Sequence, residues 1–285
     1  MHMTGALARA RPLAPSSEQS VVSVVPDQAI EDFKLWAEYA FAAYQDVRYW
    51  NCEFCNKRTL GTTYVGEFYY GFPTIQGYVA MHHEYQVIVV GIRGSTADKL
   101  TSFATSTIVK KYRWPREVAQ SQVHQGYFFS VKVVIKRVIA MLEPQAARYL
   151  NYRIVLTGHS LGGAQSVLMA SFIAQQHSDW ASRLSVYTYG QPRVGNAAFA
   201  TYYQSLSIPT ARVVNQHDIV PHIPTKAMGF KHQPFEIWIR PQDGVTVACP
   251  ATVGKESPHC SAGVPFYKLN VLDHSHYWGI SSKDA

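Results

Sequence analysis

The stretch RIVLTGHSLGGAQSVLMA, residues 153–170, carries the strongest structural signal in the chain. It sets an apolar strand-like run against an apolar helix-like run, with a Gly-His-Ser turn between them. The pattern G-x-S-x-G in this context is typical of a sharp turn that lifts a serine hydroxyl above the end of a sheet. The small residues Gly158 and Gly162 would let the chain reverse there, so we predict that Ser160 is a nucleophile with an exposed oxygen. The backbone N–H of Leu161, at the start of the next helix, would then face the charge that develops on a substrate.

Strand-like and helix-like segments alternate along the rest of the chain. An amphipathic helix is predicted from Asp27 to about Tyr44, and a second one from about Tyr127 to Met141, ending before Pro144. Strands are predicted at EFYYGF, IQGYVAMHH, YQVIVVGIRG, RIVLTG, RLSVYTYG, TARVVNQ and FEIWIR. The region from Ser95 to Val123 lacks a clean period, and we expect loops with one short helix. The alternation indicates βαβ units, so we predict an α/β fold with a mostly parallel central sheet flanked by helices.

The composition along the chain suggests one domain behind a short arm. Residues 1–26 are rich in Ala, Pro, Ser and Arg, and we expect a flexible N-terminal arm made of a cloning remnant and what is left of a pro-segment. Residues 27–285 show no composition shift and are predicted to form a single domain. No run approaches 18 consecutive apolar residues, so no transmembrane segment is predicted. The chain has no apolar signal-peptide region, so we expect any secretion signal to be already removed.

The net charge of +7 raises the question of an anionic partner. The basic residues are scattered, and only the segment KKYRWPR at residues 110–116 clusters them around aromatic side chains. No nucleic-acid-binding motif accompanies this cluster. We therefore expect a solvated basic face, with an interface-binding patch as the alternative, and no nucleic acid partner.

Four cysteines occur as two local pairs, Cys52 with Cys55 and Cys249 with Cys260. Their spacing alone allows a redox Cys-x-x-Cys motif, part of a zinc site or two disulfides. A zinc site would need four ligands brought together, and a redox motif would need a βαβ unit at this place. We favour two disulfides, which imply an oxidising, extracellular compartment.

A nucleophilic serine needs a base that takes its proton, and that base needs a carboxylate partner. In the chain order that accompanies this turn, the acid and then the histidine follow the serine. Among the downstream acids, Asp218 stands out because it lies just after the strand-like run ARVVN, where a loop can carry it to the same sheet edge as Ser160. Two histidines near the C-terminus, His274 and His276, are candidates for the base, and the local sequence does not separate them.

Seven motifs in order extend this interpretation from about Asp27 to the C-terminus: NCEFCN, GIRGST, VHQGYF, TGHSLGGA, YGQPRVGN, NQHDIVPHIP and VLDHSHYWG. In this combination the chain resembles the class 3 (fungal filamentous-type) lipases, a group of α/β-hydrolases that includes triacylglycerol lipases and some feruloyl esterases. The resemblance implies a secreted serine carboxylester hydrolase with a Ser-Asp-His triad and an acyl-enzyme intermediate, and no metal or cofactor. It also selects His274 over His276, because the family's catalytic histidine directly follows an LD-type segment.

The resemblance assigns further residues. In VVGIRGST, the backbone N–H of Ser95, helped by its hydroxyl, would complement that of Leu161 in an oxyanion hole. His124 and Arg193 match family positions that are structural rather than reactive. The two cysteine pairs match local bridges of similar lipases, but no cysteines remain for the third disulfide that many relatives carry.

A lid is expected in the segment from Thr96 to Lys111, because similar lipases have a short amphipathic helix after the oxyanion serine. Its apolar stripe would be formed by Leu100, Phe103, Ala104 and Ile108. The stripe is narrow and rich in Ser and Thr neighbours, which lowers helix propensity. Because the resemblance implies a lid at this place, we nevertheless predict a lipase that acts on acylglycerols and binds transiently at a lipid–water interface. The alternatives are a feruloyl or other soluble-ester esterase with a polar lid, and a hydrolase-fold binding protein without catalysis.

Overall fold

The computed structural model describes residues 21–96, 109–250 and 255–281. Within them the α-helices are α1 (Asp27–Ala42), α2 (Gln125–Arg148), α3 (Leu161–Gln176) and α4 (Ala197–Ser205). The strands are β1 (Ser23–Val24), β2 (Thr62–Tyr70), β3 (Ile75–His82), β4 (Val87–Ile92), β5 (Lys111–Arg113), β6 (Gln122–His124), β7 (Arg153–His159), β8 (Leu184–Tyr189), β9 (Thr210–Asn215), β10 (Glu236–Ile239), β11 (Thr246–Ala248), β12 (His276–Tyr277) and β13 (Ile280–Ser281).

The central sheet has nine strands among the described residues, in the order β1-β11-β10-β9-β8-β7-β4-β3-β2. Strands β4, β7, β8, β9 and β10 run parallel, while β2, β3, β11 and β1 join antiparallel at the two sides. Each of the seven predicted strands is present. The prediction of an α/β-hydrolase fold with a mostly parallel sheet is therefore confirmed.

The helices cover both faces of this sheet. Along β7, Ile154 and Leu156 pack into the core beneath α2 and α3, whereas Val155 packs into the core beneath α1. Successive side chains of a strand point to opposite faces, so a strand that is apolar at every position must be covered twice. This explains why β4, β8 and β9 are buried along their whole length.

Helix α2 continues through Pro144 to Arg148, so the prediction that it ends before the proline is wrong. A proline within a helix removes one backbone donor and disturbs the preceding turn. Here the guanidinium of Arg183 donates to the carbonyl oxygens of Ala146, Tyr149 and Tyr152, at 3.2, 2.8 and 2.8 Å. These bonds stabilise the last turn of α2 and the loop that follows it. They do not replace the bond lost at Pro144, whose missing N–H would have donated to the carbonyl of Ala140.

Two other segments differ in detail from the sequence-based expectation. The described part of the region from Ser95 to Val123 contains the β5–β6 hairpin, which lies outside the central sheet. At the N-terminus, β1 lies inside the segment assigned to the flexible arm and pairs with Val247 and Ala248 of β11. Regular structure therefore begins before residue 27, because the backbone of β11 offers an unpaired edge there.

The two predicted disulfides are present. Cys52 and Cys55 close a short loop after α1, with an S–S distance of 2.12 Å, and Cys249 is joined to Cys260 at 2.10 Å. Among the described helices, none combines the length and the apolar character that a bilayer span requires.

Asp32 is an unusual acid, because it lies on α1 with its side chain turned into the core. The residue is 5% exposed, and its Oδ1 has no hydrogen-bond partner in the described part of the chain. Burial raises the pKa of Asp32 to about 6, although the charge of Arg153 opposes this shift. The folded state therefore retains a proton on Asp32 at pH values where the unfolded chain has lost it, so ionisation of Asp32 lowers stability.

We expect Asp32→Asn to raise the free energy of unfolding at pH 8 by up to about 3 kcal/mol, since each pKa unit is worth about 1.4 kcal/mol. At pH 4 the carboxyl is protonated in the folded state, and the variant should differ little from the parent protein. Denaturant unfolding at the two pH values measures this. The matched control is Asp27→Asn, an exposed acid in the first turn of the same helix, whose loss should lower stability at pH 8 by about 0.3–1 kcal/mol. A destabilised Asp32→Asn at pH 8 would contradict the prediction.

Candidate active site

The predicted strand-to-helix turn is present at Ser160, between β7 and α3. Ser160 has φ 56° and ψ −128°, a backbone conformation that residues other than glycine rarely adopt. Its N–H donates to the carbonyl of Tyr189 at 2.8 Å, and its own carbonyl accepts from Gly163 at 3.0 Å. These two hydrogen bonds hold the strained residue between the end of the neighbouring strand β8 and the first turn of α3.

Glycine at positions 158 and 162 allows this turn to pack. A Cβ atom on Gly162 would overlap the carbonyl oxygen of Ile92 at the end of β4, and one on Gly158 would overlap the backbone of Gly162. Both neighbours are backbone, so neither can move aside as a flexible side chain would. The close approach brings the segment after β4, where Ser95 lies, beside the turn.

The Ser160 side chain is buried rather than exposed, which corrects the expectation from sequence. The residue is 1% exposed, and its Oγ has no hydrogen-bond partner in the described part of the chain. The prediction considered only the local turn, whereas burial also depends on distant segments such as the one after β4, where a Cβ atom on Gly94 would lie 2.8 Å from Ser160 Cβ. The hydroxyl is therefore both unpaired and closed to bulk solvent.

Asp218 and His274 form a buried pair. His274 Nδ1 lies 2.8 Å from Asp218 Oδ2, and both side chains are 0% exposed. Asp218 Oδ1 accepts a hydrogen bond from the backbone N–H of Val220 at 2.9 Å. Because a carboxylate can only accept, Nδ1 of His274 carries a proton, so Nε2 is the atom on which the neutral form of the ring has its lone pair. Nε2 has no hydrogen-bond partner among the described residues, so it is free to take a proton.

The loops that carry this pair are bonded to each other. Asp218 follows β9, and the backbone N–H of the next residue, Ile219, donates to the carbonyl of Asn270 at 3.0 Å. Asn270 N–H returns a hydrogen bond to the carbonyl of His217 at 2.9 Å, while Asn215 Nδ2 donates to the carbonyl of Asp273 at 2.9 Å. These contacts hold the backbone just before His274 against the end of β9.

His276 lies elsewhere. It is exposed, and its Nδ1 is 3.1 Å from the carbonyl oxygen of Leu272 rather than near an acid. The structure thus brings His274, and not His276, to Asp218. This distinction depends on the turn at Leu272–Ser275, which local sequence alone does not reveal.

The side chain of Tyr277, which was not predicted as a site residue from the sequence, also contacts Asp218. The Tyr277 hydroxyl donates to Asp218 Oδ2 over 3.5 Å, and the residue is 0% exposed. Burial, together with the negative charge of Asp218, raises the pKa of Tyr277 well above its ordinary value, so the hydroxyl keeps its proton. The only signal in the sequence was an aromatic residue close after the candidate base.

Of the other predicted site residues, two lie beside the turn at Ser160 and four fall outside the described part of the chain. Ser95 is half-buried just after β4, and Leu161 is the first residue of α3, so both lie next to the turn at Ser160. At the neighbouring Gly94, a Cβ atom would lie 2.8 Å from Ser160 Cβ, which shows how close this segment comes. The four apolar residues predicted for the lid lie outside the described residues: Leu100, Phe103, Ala104 and Ile108.

His124 and Arg193 occupy structural positions. His124 stacks on Tyr127, caps α2 by accepting from the Tyr127 N–H, and has a pKa lowered by burial to about 4. Arg193 is buried and makes two hydrogen bonds to Glu256, at 2.8 and 2.6 Å. Burial opposes ionisation of Glu256, but the bonds and charge of Arg193 hold its pKa well below the ordinary value. Both side chains are therefore engaged in holding their own surroundings together.

One group of potential metal ligands exists among the described residues, formed by Glu236, Cys249 and Cys260. Its two sulfur atoms are joined to each other in a disulfide, so neither is available as a thiolate ligand. The buried pair of Asp218 and His274 instead has the arrangement of a base and its carboxylate partner, which a nucleophilic serine requires.

Comparisons with known proteins point to one family. Residues 89–228 match the family model described as lipase (class 3). A lipase from Rhizopus niveus is 30% identical over 272 residues, which cover 93% of this chain and 68% of that protein. A secreted mono- and diacylglycerol lipase A from Penicillium cyclopium is 29% identical over 79% of this chain and 75% of its own length.

A solved structure of a triacylglycerol lipase, whose catalytic centre is a serine protease triad, superposes with a TM-score of 0.82 at 32% identity. The match covers 92% of this chain and 99% of that one. Fold and sequence identity over most of both proteins therefore agree, and the chain belongs to the class 3 lipase family.

Proposed function

We propose that this carboxylic ester hydrolase is a secreted lipase that cleaves acylglycerol esters with Ser160 as nucleophile, His274 as base and Asp218 as the partner of that base. The observation that carries the proposal is the buried 2.8 Å contact between His274 Nδ1 and Asp218 Oδ2, with Nε2 left unpaired among the described residues. Ser160 Oγ is also buried and unpaired there, at the turn that the family uses for its nucleophile. Proton transfer between these two unpaired atoms is the step that a serine hydrolase requires.

The reaction would proceed as a two-step acyl transfer. His274 Nε2 takes the proton of Ser160 as Oγ forms a bond to the ester carbonyl carbon, and Asp218 stabilises the resulting imidazolium. The backbone N–H groups of Ser95 and Leu161 would hold the oxyanion of the tetrahedral intermediate. His274 then gives its proton to the leaving alcohol as the ester bond breaks. Water repeats the sequence on the acyl-enzyme and releases the fatty acid.

Burial of Ser160 supports a substrate that is met at an interface. A hydroxyl that is 1% exposed reaches an ester only after the site opens. A lipid–water interface supplies apolar surface that can pack against the side chains that such opening uncovers. The lid proposed for the segment from Thr96 to Lys111 would provide this opening. Two disulfides support an extracellular location, because such bonds persist in oxidising compartments.

The substrate class is tested by comparing hydrolysis rates on four esters: emulsified long-chain triacylglycerol, emulsified diacylglycerol, p-nitrophenyl butyrate below its solubility limit and methyl ferulate. We expect the emulsified acylglycerols to be cleaved fastest, because an interface favours the open site. Ser160→Ala serves as the control on every substrate. Activity confined to methyl ferulate would contradict a lipase and favour the feruloyl esterase alternative.

The nucleophile is tested with a p-nitrophenyl alkylphosphonate, which forms a stable bond to an activated serine. We expect one phosphonate per chain on the peptide that contains Ser160, and faster labelling with detergent micelles than without them. Peptide mass spectrometry measures both, and Ser160→Ala should remain unlabelled. A folded parent protein that stays unlabelled with micelles would favour the non-catalytic binding alternative.

The base is tested by comparing two nearby histidines. His274→Ala should lower kcat by about four orders of magnitude, because the proposed acceptor for the proton of Ser160 is then missing. His276→Ala should retain most of the activity, since this exposed ring contacts a backbone carbonyl away from Asp218. Activity on p-nitrophenyl butyrate, with circular dichroism to establish folding, measures the difference. The reverse pattern would assign the base to His276.

A further inference from the structure

A polar bridge of two side chains, Tyr44 and His159, crosses the buried space behind the triad. Tyr44 follows helix α1, and its hydroxyl lies 2.8 Å from Nδ1 of His159. His159 ends β7, directly before Ser160, and its Nε2 lies 2.9 Å from the backbone carbonyl oxygen of His274. The ring centroids of His159 and His274 are 4.4 Å apart. One imidazole therefore belongs to the residue next to the nucleophile and also contacts the backbone of the base.

The chemistry of the partners determines where the protons lie in this bridge. The carbonyl of His274 can only accept, so Nε2 of His159 carries a hydrogen and donates. His159 is 0% exposed, and burial lowers its pKa well below the ordinary value, as does the positive charge of His274 whenever that ring is protonated. The ring is therefore neutral, and its Nδ1 accepts. Tyr44 must then be the donor of the 2.8 Å bond, which burial favours by raising the pKa of its hydroxyl.

The Tyr44 end of the bridge reaches the segment after β4. The Tyr44 hydroxyl oxygen packs closely against the backbone of Gly94, because a Cβ atom on Gly94 would overlap that oxygen. The residue after Gly94 is Ser95, the proposed oxyanion donor. The bridge thus joins three separate chain segments, which carry the base, the nucleophile and an oxyanion donor.

We propose that Tyr44 and His159 are positioning residues for ester hydrolysis, which hold His274, Ser160 and Ser95 at fixed separations; the inference rests on the proposed function. Neither side chain needs to touch the substrate. The two hydrogen bonds of His159, and the packing of Tyr44 against Gly94, limit how far the three segments can move relative to one another. A displacement of about 1 Å between reacting groups can cost about 100-fold in rate, so such fixing has a measurable effect.

His159 is not itself a second base in this arrangement. Its one N–H is used by the carbonyl of His274, and its one lone pair is used by Tyr44. A proton added to the ring would have to displace the Tyr44 donor bond and would lie beside the imidazolium that forms on His274. The bridge therefore acts by hydrogen bonding in the neutral state throughout the reaction.

The test measures kcat and KM on p-nitrophenyl butyrate, a monomeric ester that avoids effects of lid opening at an interface. Tyr44→Phe removes one hydrogen bond, and we expect kcat to fall about 10-fold with KM nearly unchanged. His159→Phe removes both bonds, and kcat should fall about 100-fold. His159→Gln keeps one donor and one acceptor, and should recover most of the activity that is missing in His159→Phe.

Tyr39→Phe is the matched control for loss of a buried tyrosine hydroxyl. Tyr39 lies on α1, is 0% exposed and bonds to Thr62 Oγ1 at 2.7 Å, away from the triad. Its variant should lose stability but keep kcat, whereas Tyr44→Phe should lose kcat. If Tyr44→Phe and His159→Phe both keep the parent kcat, or if Tyr39→Phe lowers kcat as much as Tyr44→Phe does, the positioning role is wrong. If His159→Phe does not fold, the comparison of kcat between Tyr44→Phe and Tyr39→Phe still decides whether the positioning role is correct.

Failure of the proposed function gives a different result. In that case the parent protein itself hydrolyses no ester, and Ser160 takes up no phosphonate. A parent protein that is active and labelled, with an unaffected Tyr44→Phe variant, overturns the bridge alone. The phosphonate labelling rate of each folded variant provides a second readout, because it reports how well His274 activates Ser160 without requiring turnover.

Discussion

The hydrogen bond between His274 Nδ1 and Asp218 Oδ2 is the interaction on which the rest of the site depends. It selects the tautomer of the imidazole, and it fixes the ring plane relative to the end of β9. Both partners are fully buried, where an electrostatic hydrogen bond is stronger than in water and a missing partner is more costly. Asn270 and Asn215 form hydrogen bonds with the neighbouring backbone, and these bonds keep the loop that carries Asp218 next to the loop that carries His274.

Much of the fold could be predicted from the sequence, because its central strands are apolar at nearly every position and the elements alternate regularly. The prediction failed where tertiary contacts rather than local sequence set the bounds of an element. Helix α2 runs past Pro144 to Arg148, and its C-terminal end is bonded to Arg183, about 35 residues further along the chain. The strands β1 and β5 have two or three residues each, and their pairing partners are set by tertiary structure rather than by their own sequence.

For the site, the turn motif and chain order brought forward Ser160 and Asp218, while the resemblance to class 3 lipases selected His274 over His276. Ser160 and Asp218 follow strands β7 and β9 of the parallel sheet, and His274 contacts Asp218. The burial of Ser160 was not predictable, because it depends on segments far from the turn. Tyr44 was missed for a clear physical reason. Its spacing fits the apolar stripe of α1, which marks its ring as a core position, while its hydroxyl partner lies 115 residues away. The periodicity of apolar residues predicts which face of a helix is buried, but it does not predict the hydrogen-bond partner of a polar group on that face.

The unequal ends of the central sheet also affect how the protein behaves at high concentration. At one side the sheet ends in β1, whose two residues are followed closely by Pro26, so few backbone groups remain there for pairing with a second molecule. At the other side β2 is long, but its pairing with β3 shifts register between Tyr64 and Gly66, which interrupts a regular edge. Short and irregular edges of this kind oppose strand-to-strand aggregation, which would be an advantage for a lipase that is concentrated at lipid surfaces as proposed.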